Sequence, residues 1–115
     1  MKKLALFAFS PDPGCFSHVM LNALEMRDRG WEVKIVLEGE ATKHVAVMRN
    51  ETKPYHALYR RTLNEGLFDC VCKACATKFG VLQAAIEQDI KACDEMEGHP
   101  AVGRYLADGW EVLVF

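Results

Sequence analysis

A chain of 115 residues, 50% hydrophobic and 26% charged, has the length and balance of one compact soluble domain spanning residues 1–115. Its formal net charge of −2 and pI near 6.1 leave no basic surplus for neutralising phosphates, which argues against nucleic-acid binding. No stretch reaches membrane-spanning length, so no membrane partner is expected.

Met1-Lys2-Lys3 before Leu4 to Phe9 has the outline of a signal peptide. The apolar run is too short for one, Pro11-Asp12-Pro13 interrupts it, and Asp12 stands where a lipoprotein site ahead of Gly14-Cys15 needs an aliphatic residue. A cytoplasmic location is the expectation. Lys3 to Phe9 then reads as a first strand, Ser10 to Gly14 as a turn cluster, and His18 to Arg29 as a helix closed by Gly30. Trp31 to Leu37 alternates and then becomes continuously apolar as a second strand. This βαβ unit predicts an α/β domain with parallel strands and a right-handed crossover.

Beyond Glu38-Gly39-Glu40, Ala41 to Arg49 reads as a short helix, Asn50 to Pro54 as a polar break, and Tyr55 to Asn64 as a second helical stretch ended by Gly66. Leu67 to Val71 is a brief third strand, and Cys72 to Phe79 a helical turn or two ending at Gly80. Val81 to Met96 has apolar residues at Val81, Leu82, Ala85, Ile86, Ile90 and Cys93, the pattern of an amphipathic helix, whole or broken along its length. Gly98-His99-Pro100 is a turn, Val102 to Ala107 a last helix and Trp110 to Phe115 a final strand.

The chemistry concentrates in Cys70-Val71-Cys72-Lys73-Ala74-Cys75, which holds three of the five cysteines. Cytoplasmic thiols stay reduced, so this odd count points to catalysis, redox chemistry or metal before structural disulfides. Cys72 falls in the first turn of its helix, where free amides and the dipole favour a thiolate and Lys73 and Lys78 add positive charge, which makes it the nucleophile candidate. Cys75 lies one turn on, placed to resolve an oxidised or persulfidated Cys72 or to share a metal with it. Cys70 and Cys93 fit apolar faces and read as core residues.

In an open parallel sheet, ligands bind at the carboxyl ends of strands. That edge gathers Asp12, Gly14, Cys15, Ser17 and His18 after the first strand, Glu38 and Glu40 after the second, and the cysteines after the third, so Cys15 is expected to approach Cys72. A zinc site would need Cys15 and His18 to converge on Cys72 and Cys75. His44, His56 and His99 read as surface or capping residues, and Glu38 with Glu40 as a solvated helix start. The Asp12 to Cys15 loop matches neither phosphate-binding fingerprint.

In order, an opening strand, a helix ending at Arg29-Gly30, the strand Val33 to Leu37 running into Glu38-Gly39-Glu40-Ala41, and Cys72 followed eight positions later by Gly80 resemble the DsrE/DsrF-like (TusD-related) sulfur-relay family over nearly the whole chain. Cys75 departs from that pattern, which has a small apolar residue there. The resemblance implies a three-layer α/β sandwich around a mainly parallel sheet of about four to five strands, and a homo-oligomer, trimer or hexamer. It also implies sulfur donor and acceptor proteins as partners and a persulfide carried on Cys72, with Cys75 as the resolving thiol. No cofactor is implied. The residues leave open a zinc-binding or purely structural subunit, and a small-ligand protein of the same fold.

Overall fold

Alternate residues of the first strand, β1 (Lys3–Ala8), divide between two hydrophobic clusters. Leu4, Leu6 and Ala8 join one of 23 buried residues, whereas Ala5 and Phe7 join another of 7. A strand apolar on both sides is buried on both faces, as in parallel sheets covered by helices. The computed structural model, which describes residues 1–115, has that sheet. Its five strands are all parallel, in the order β4-β3-β2-β1-β5, with β2 at Glu32–Leu37, β3 at Phe68–Cys72, β4 at Ala92–Cys93 and β5 at Glu111–Val114.

The larger cluster draws on α1 (Pro13–Asp28), α2 (His44–Val47), α3 (His56–Asn64), α4 (Lys73–Lys78) and α5 (Leu82–Glu87). Only α6 (Val102–Ala107) covers the other face, through Tyr105. The three layers of an α/β sandwich follow, one thick and one thin. No helix is long and apolar enough to cross a membrane.

Strands β1 to β4 are added in chain order toward one edge, and α6 then carries the chain across the thin face to place β5 beside β1. Two neighbouring strands, β3 and β4, therefore send their following segments to opposite faces of the sheet. Such a divergence opens a crevice at the carboxyl ends of the two strands.

Several local boundaries differ from the sequence expectation. Helix α1 starts at Pro13, five residues before His18, because the Asp12 carboxylate accepts the Cys15 N–H at 3.0 Å and proline suits the first helical position. Ala41 to Arg49 splits into a 3-10 turn, Gly39–Lys43, and the single turn of α2. The run Val81 to Met96 is not one helix: α5 stops at Glu87, Asp89 turns left-handed at φ 60°, and β4 follows.

That strand changes the fate of two cysteines. Cys70 and Cys93 are buried as expected, but instead of remaining separate thiols they form a disulfide, with Cα atoms 5.8 Å apart. The reason is register: Cys72 lies opposite Cys93, so Cys70 is diagonal to Cys93 on the same face of adjacent strands.

Candidate functional site

Four polar side chains meet in the β3/β4 crevice. Cys72 ends β3 and caps α4, its Sγ accepting the Cys75 N–H at 3.4 Å. Cys75 follows one turn along that helix. Glu38 is the first residue beyond β2, the neighbour of β3 in the sheet. His99 sits in the turn between β4 and α6, with its Nδ1 3.0 Å from Cys72 Sγ. The ligand-type atoms of Glu38, Cys72, Cys75 and His99 all lie within 4.8 Å of one another.

The turn that carries His99 is pinned from two sides. Met96 and His99 exchange backbone hydrogen bonds, Met96 N–H to His99 O at 2.9 Å and His99 N–H to Met96 O at 3.0 Å. Across the crevice, the Ala74 N–H donates to Gly98 O at 2.8 Å, and Lys73 pairs with Asp94 at 3.6 Å. Position 98 requires glycine: its φ is +90°, and a Cβ there would come within 3.2 Å of Ala74 Cβ.

Cys72 is completely buried, whereas Cys75, His99 and Glu38 are half-buried. Burial pushes the Cys72 thiol up to about 12; the Cys75 amide works against this, while the Cys75 thiol and the Glu38 carboxylate reinforce it. The expected lowering of the Cys72 thiol is therefore reversed. The cations invoked for it are directed elsewhere, Lys73 to Asp94 and Lys78 over the Phe79 ring, and α4 is only six residues long. Burial also raises the Glu38 carboxyl, with the His99 charge and a Cys72 hydrogen bond pulling the other way.

Cys15 and His18 are absent from this cluster. Both are exposed on the first turns of α1 and line a shallow depression with Ser10, Asp12, Gly14 and Phe115. Strand β1, which leads into them, is two strands from β3, about 10 Å at the usual strand spacing. The expected approach of Cys15 to Cys72 does not occur, and the expected zinc set with Cys15 and His18 does not assemble.

Sequence reasoning missed two members of the cluster. His99 is a neighbour of Cys72 and not a surface cap. Glu38 belongs to the crevice, whereas Glu40 is exposed as expected. The one available signal for Glu38 was its place immediately after a strand at the carboxyl edge; His99 carried none without β4. The other two histidines are structural. His44 Nε2 lies 2.9 Å from Ser10 O with its ring stacked on Phe16, and His56 Nδ1 lies 2.8 Å from Met48 O. Beneath the site, Tyr105 donates to Asp69, and its hydroxyl is 3.6 Å from Cys70 Sγ.

No family model matches the chain. It is 30% identical over 117 aligned positions to uncharacterized protein MJ0733 of Methanocaldococcus jannaschii, covering 96% of this chain and 93% of that one. The chain belongs to the family of that archaeal protein. An uncharacterized protein of Archaeoglobus fulgidus is 46% identical over 41 residues, 36% of this chain and 67% of its own. Among solved structures, the fold is shared with a conserved protein of unknown function, BT1422, from Bacteroides thetaiotaomicron. The TM-score is 0.75 at 24% identity, over 99% of this chain and 95% of the other.

Proposed function

We propose that the protein handles sulfane sulfur, held as a persulfide on Cys72, with Cys75 as the resolving thiol. The observation that carries this reading is the setting of Cys72 Sγ: a terminal strand sulfur with the Cys75 amide at 3.4 Å, His99 Nδ1 at 3.0 Å and Gly98 O at 3.7 Å around it. A cysteine that only fills core volume does not need three polar partners. The resemblance to sulfur-relay proteins supports the same assignment.

In the loading step a donor persulfide passes its outer sulfur to Cys72: one S–S bond breaks, another forms, and the donor departs as a thiol carrying the proton that Cys72 gives up. Release has two routes. A thiol of the acceptor protein takes the outer sulfur, or Cys75 attacks Cys72 Sγ, closes a Cys72–Cys75 disulfide and expels hydrosulfide, after which two external thiols reduce the pair and leave as their own disulfide. A partly exposed Cys75 and His99 form the approach to the buried Cys72.

Cys72 and Cys75 must be thiols between cycles, which favours a reducing compartment such as the cytoplasm, where the Cys70–Cys93 disulfide is shielded from reductant by its burial. Donor and acceptor proteins are the partners this chemistry needs. A homo-oligomer, trimer or hexamer, is supported by apolar side chains left exposed on and beside the thin face, among them Leu106 at 56% and Val114 at 67%.

Intact-mass analysis after incubation with a cysteine desulfurase and cysteine tests the reading. We expect a gain of one sulfur atom, absent in Cys72→Ser and longer-lived in Cys75→Ser. A gain that survives Cys72→Ser, or none in any form, contradicts it.

A further inference from the structure

We infer that Glu38, Cys72, Cys75 and His99 together form a binding site for a borderline-soft divalent cation of the zinc class. Two sulfurs, one imidazole nitrogen and one carboxylate oxygen make up the donor set, mutually within 4.8 Å. Zinc holds such donors tetrahedrally at about 2.3 Å from sulfur and about 2.0–2.2 Å from nitrogen or oxygen, which sets them roughly 3.3–3.8 Å apart. The 3.0 Å separation of Cys72 Sγ and His99 Nδ1 needs to open by well under 1 Å to reach that geometry. Magnesium and calcium prefer all-oxygen shells, so the two sulfurs select against them.

The framework is as informative as the donors. Each ligand is held by a fixed element: Glu38 immediately after β2, Cys72 and Cys75 across the β3–α4 junction, and His99 on a turn fastened to α4 through the Ala74–Gly98 hydrogen bond. Four protein ligands complete a tetrahedral shell, the arrangement of structural zinc sites. Loading balances simply: the thiol protons of Cys72 and Cys75 leave to water, and the dication offsets two of the three negative charges then present.

This site does not depend on sulfur carriage. It uses the same sulfur lone pairs, so a bound cation and a persulfide exclude each other, and the cation-loaded protein is closed to sulfur donors.

Titration of metal-free protein, kept reduced by a phosphine, with Co2+ alone reads the site directly. We expect about one Co2+ per chain, with thiolate-to-cobalt charge-transfer absorption and the intense visible bands of tetrahedral cobalt, all abolished by displacement with zinc. His99→Ala, Glu38→Gln and Cys75→Ala, at half-buried positions, each weaken binding at least about ten-fold, with circular dichroism verifying the fold. Cys15→Ser and His18→Ala leave it unchanged. Absence of the charge-transfer band overturns the inference, as does binding that survives both His99→Ala and Glu38→Gln or that is lost in Cys15→Ser. Sulfur loading of the metal-free protein is read separately by mass, so failure of either reading is seen without the other.

Discussion

Two corners of the same sheet edge carry cysteines and histidines, and only one of them is built as a site. At the end of β3, Cys72 is fully buried and surrounded by Cys75, His99 and Glu38. After β1, Cys15 and His18 stand exposed on α1. Both corners obey the rule that chemistry-bearing residues collect at the carboxyl ends of parallel strands. What separates them is the path of the chain. Around β3 and β4 the following segments diverge to opposite faces, and the crevice between them is filled from both sides. Beside β1 the depression is lined by Ser10, Asp12, Gly14 and Phe115, and no second ligand-bearing segment enters it. Sharing an edge is therefore a weaker statement than sharing a crevice.

The contrast is sharpest in thiol reactivity. In metal-free, reduced protein near pH 7, iodoacetamide should modify exposed Cys15 several orders of magnitude faster than Cys72, because a thiol pushed up to about 12 is almost wholly protonated and the side chain is enclosed. The Cys72 rate should keep climbing as the pH is raised through about 10. Equal rates at the two positions, measured by peptide mass spectrometry, would dissolve the distinction.

A glycine in each corner offers a smaller contrast. Gly98→Ala forces a Cβ into a left-handed conformation and against Ala74, and should cost about 1–3 kcal/mol in chemical denaturation while loosening the His99 turn. Gly14 has no such backbone, and its Cβ would meet the Asp12 carboxylate at 3.0 Å and the Tyr55 hydroxyl at 3.8 Å, both ends of side chains that can shift. Gly14→Ala should cost less than Gly98→Ala, and the reverse order would break the comparison.

The smallest effect belongs to His44, which braces the Cys15 corner through Ser10. Burial lowers it from 6.5, against the Ser10 carbonyl and the Asp12 charge. The folded state thus binds this proton less readily than the unfolded chain. Its contribution to stability is complete above about pH 6.5 and is lost as the pH falls through the folded value. Thermal midpoints should decline from about pH 7.5 to about pH 5.5, and His44→Gln should flatten that slope. An unchanged slope would remove His44 as its source.

Much of this architecture was legible in the sequence because long periodic segments announce themselves. The alternation in Trp31 to Leu37 reappears as β2, and the last helix expected over Val102 to Ala107 reappears as α6. Strand β4 escaped because two residues, Ala92 and Cys93, have no period of their own and lie within an apolar spacing that also fits a helix. That one omission hid three things. The disulfide needs Cys93 beside β3, His99 needs the turn that follows β4, and the crevice needs the change of face between α4 and α6. Glu38 was visible as a strand-end carboxylate, but its burial depends on its neighbour β3, a fact of strand order. The Cys72–Cys75 spacing was legible; the direction of the thiol shift was not, since desolvation outweighs a short helix and is set by packing alone.

The separation of the two corners is tested most directly by mild oxidation of the reduced protein with diamide, followed by non-reducing digestion and mass spectrometry of the linked peptides. With Cys70 and Cys93 already bonded and the Cys72 and Cys75 sulfurs within 4.8 Å of each other, the account predicts Cys70 linked to Cys93 and Cys72 linked to Cys75, with Cys15 left free or joined only between chains. A link from Cys15 to Cys72 or Cys75 within one chain would show that the corners meet after all and would contradict the site described here.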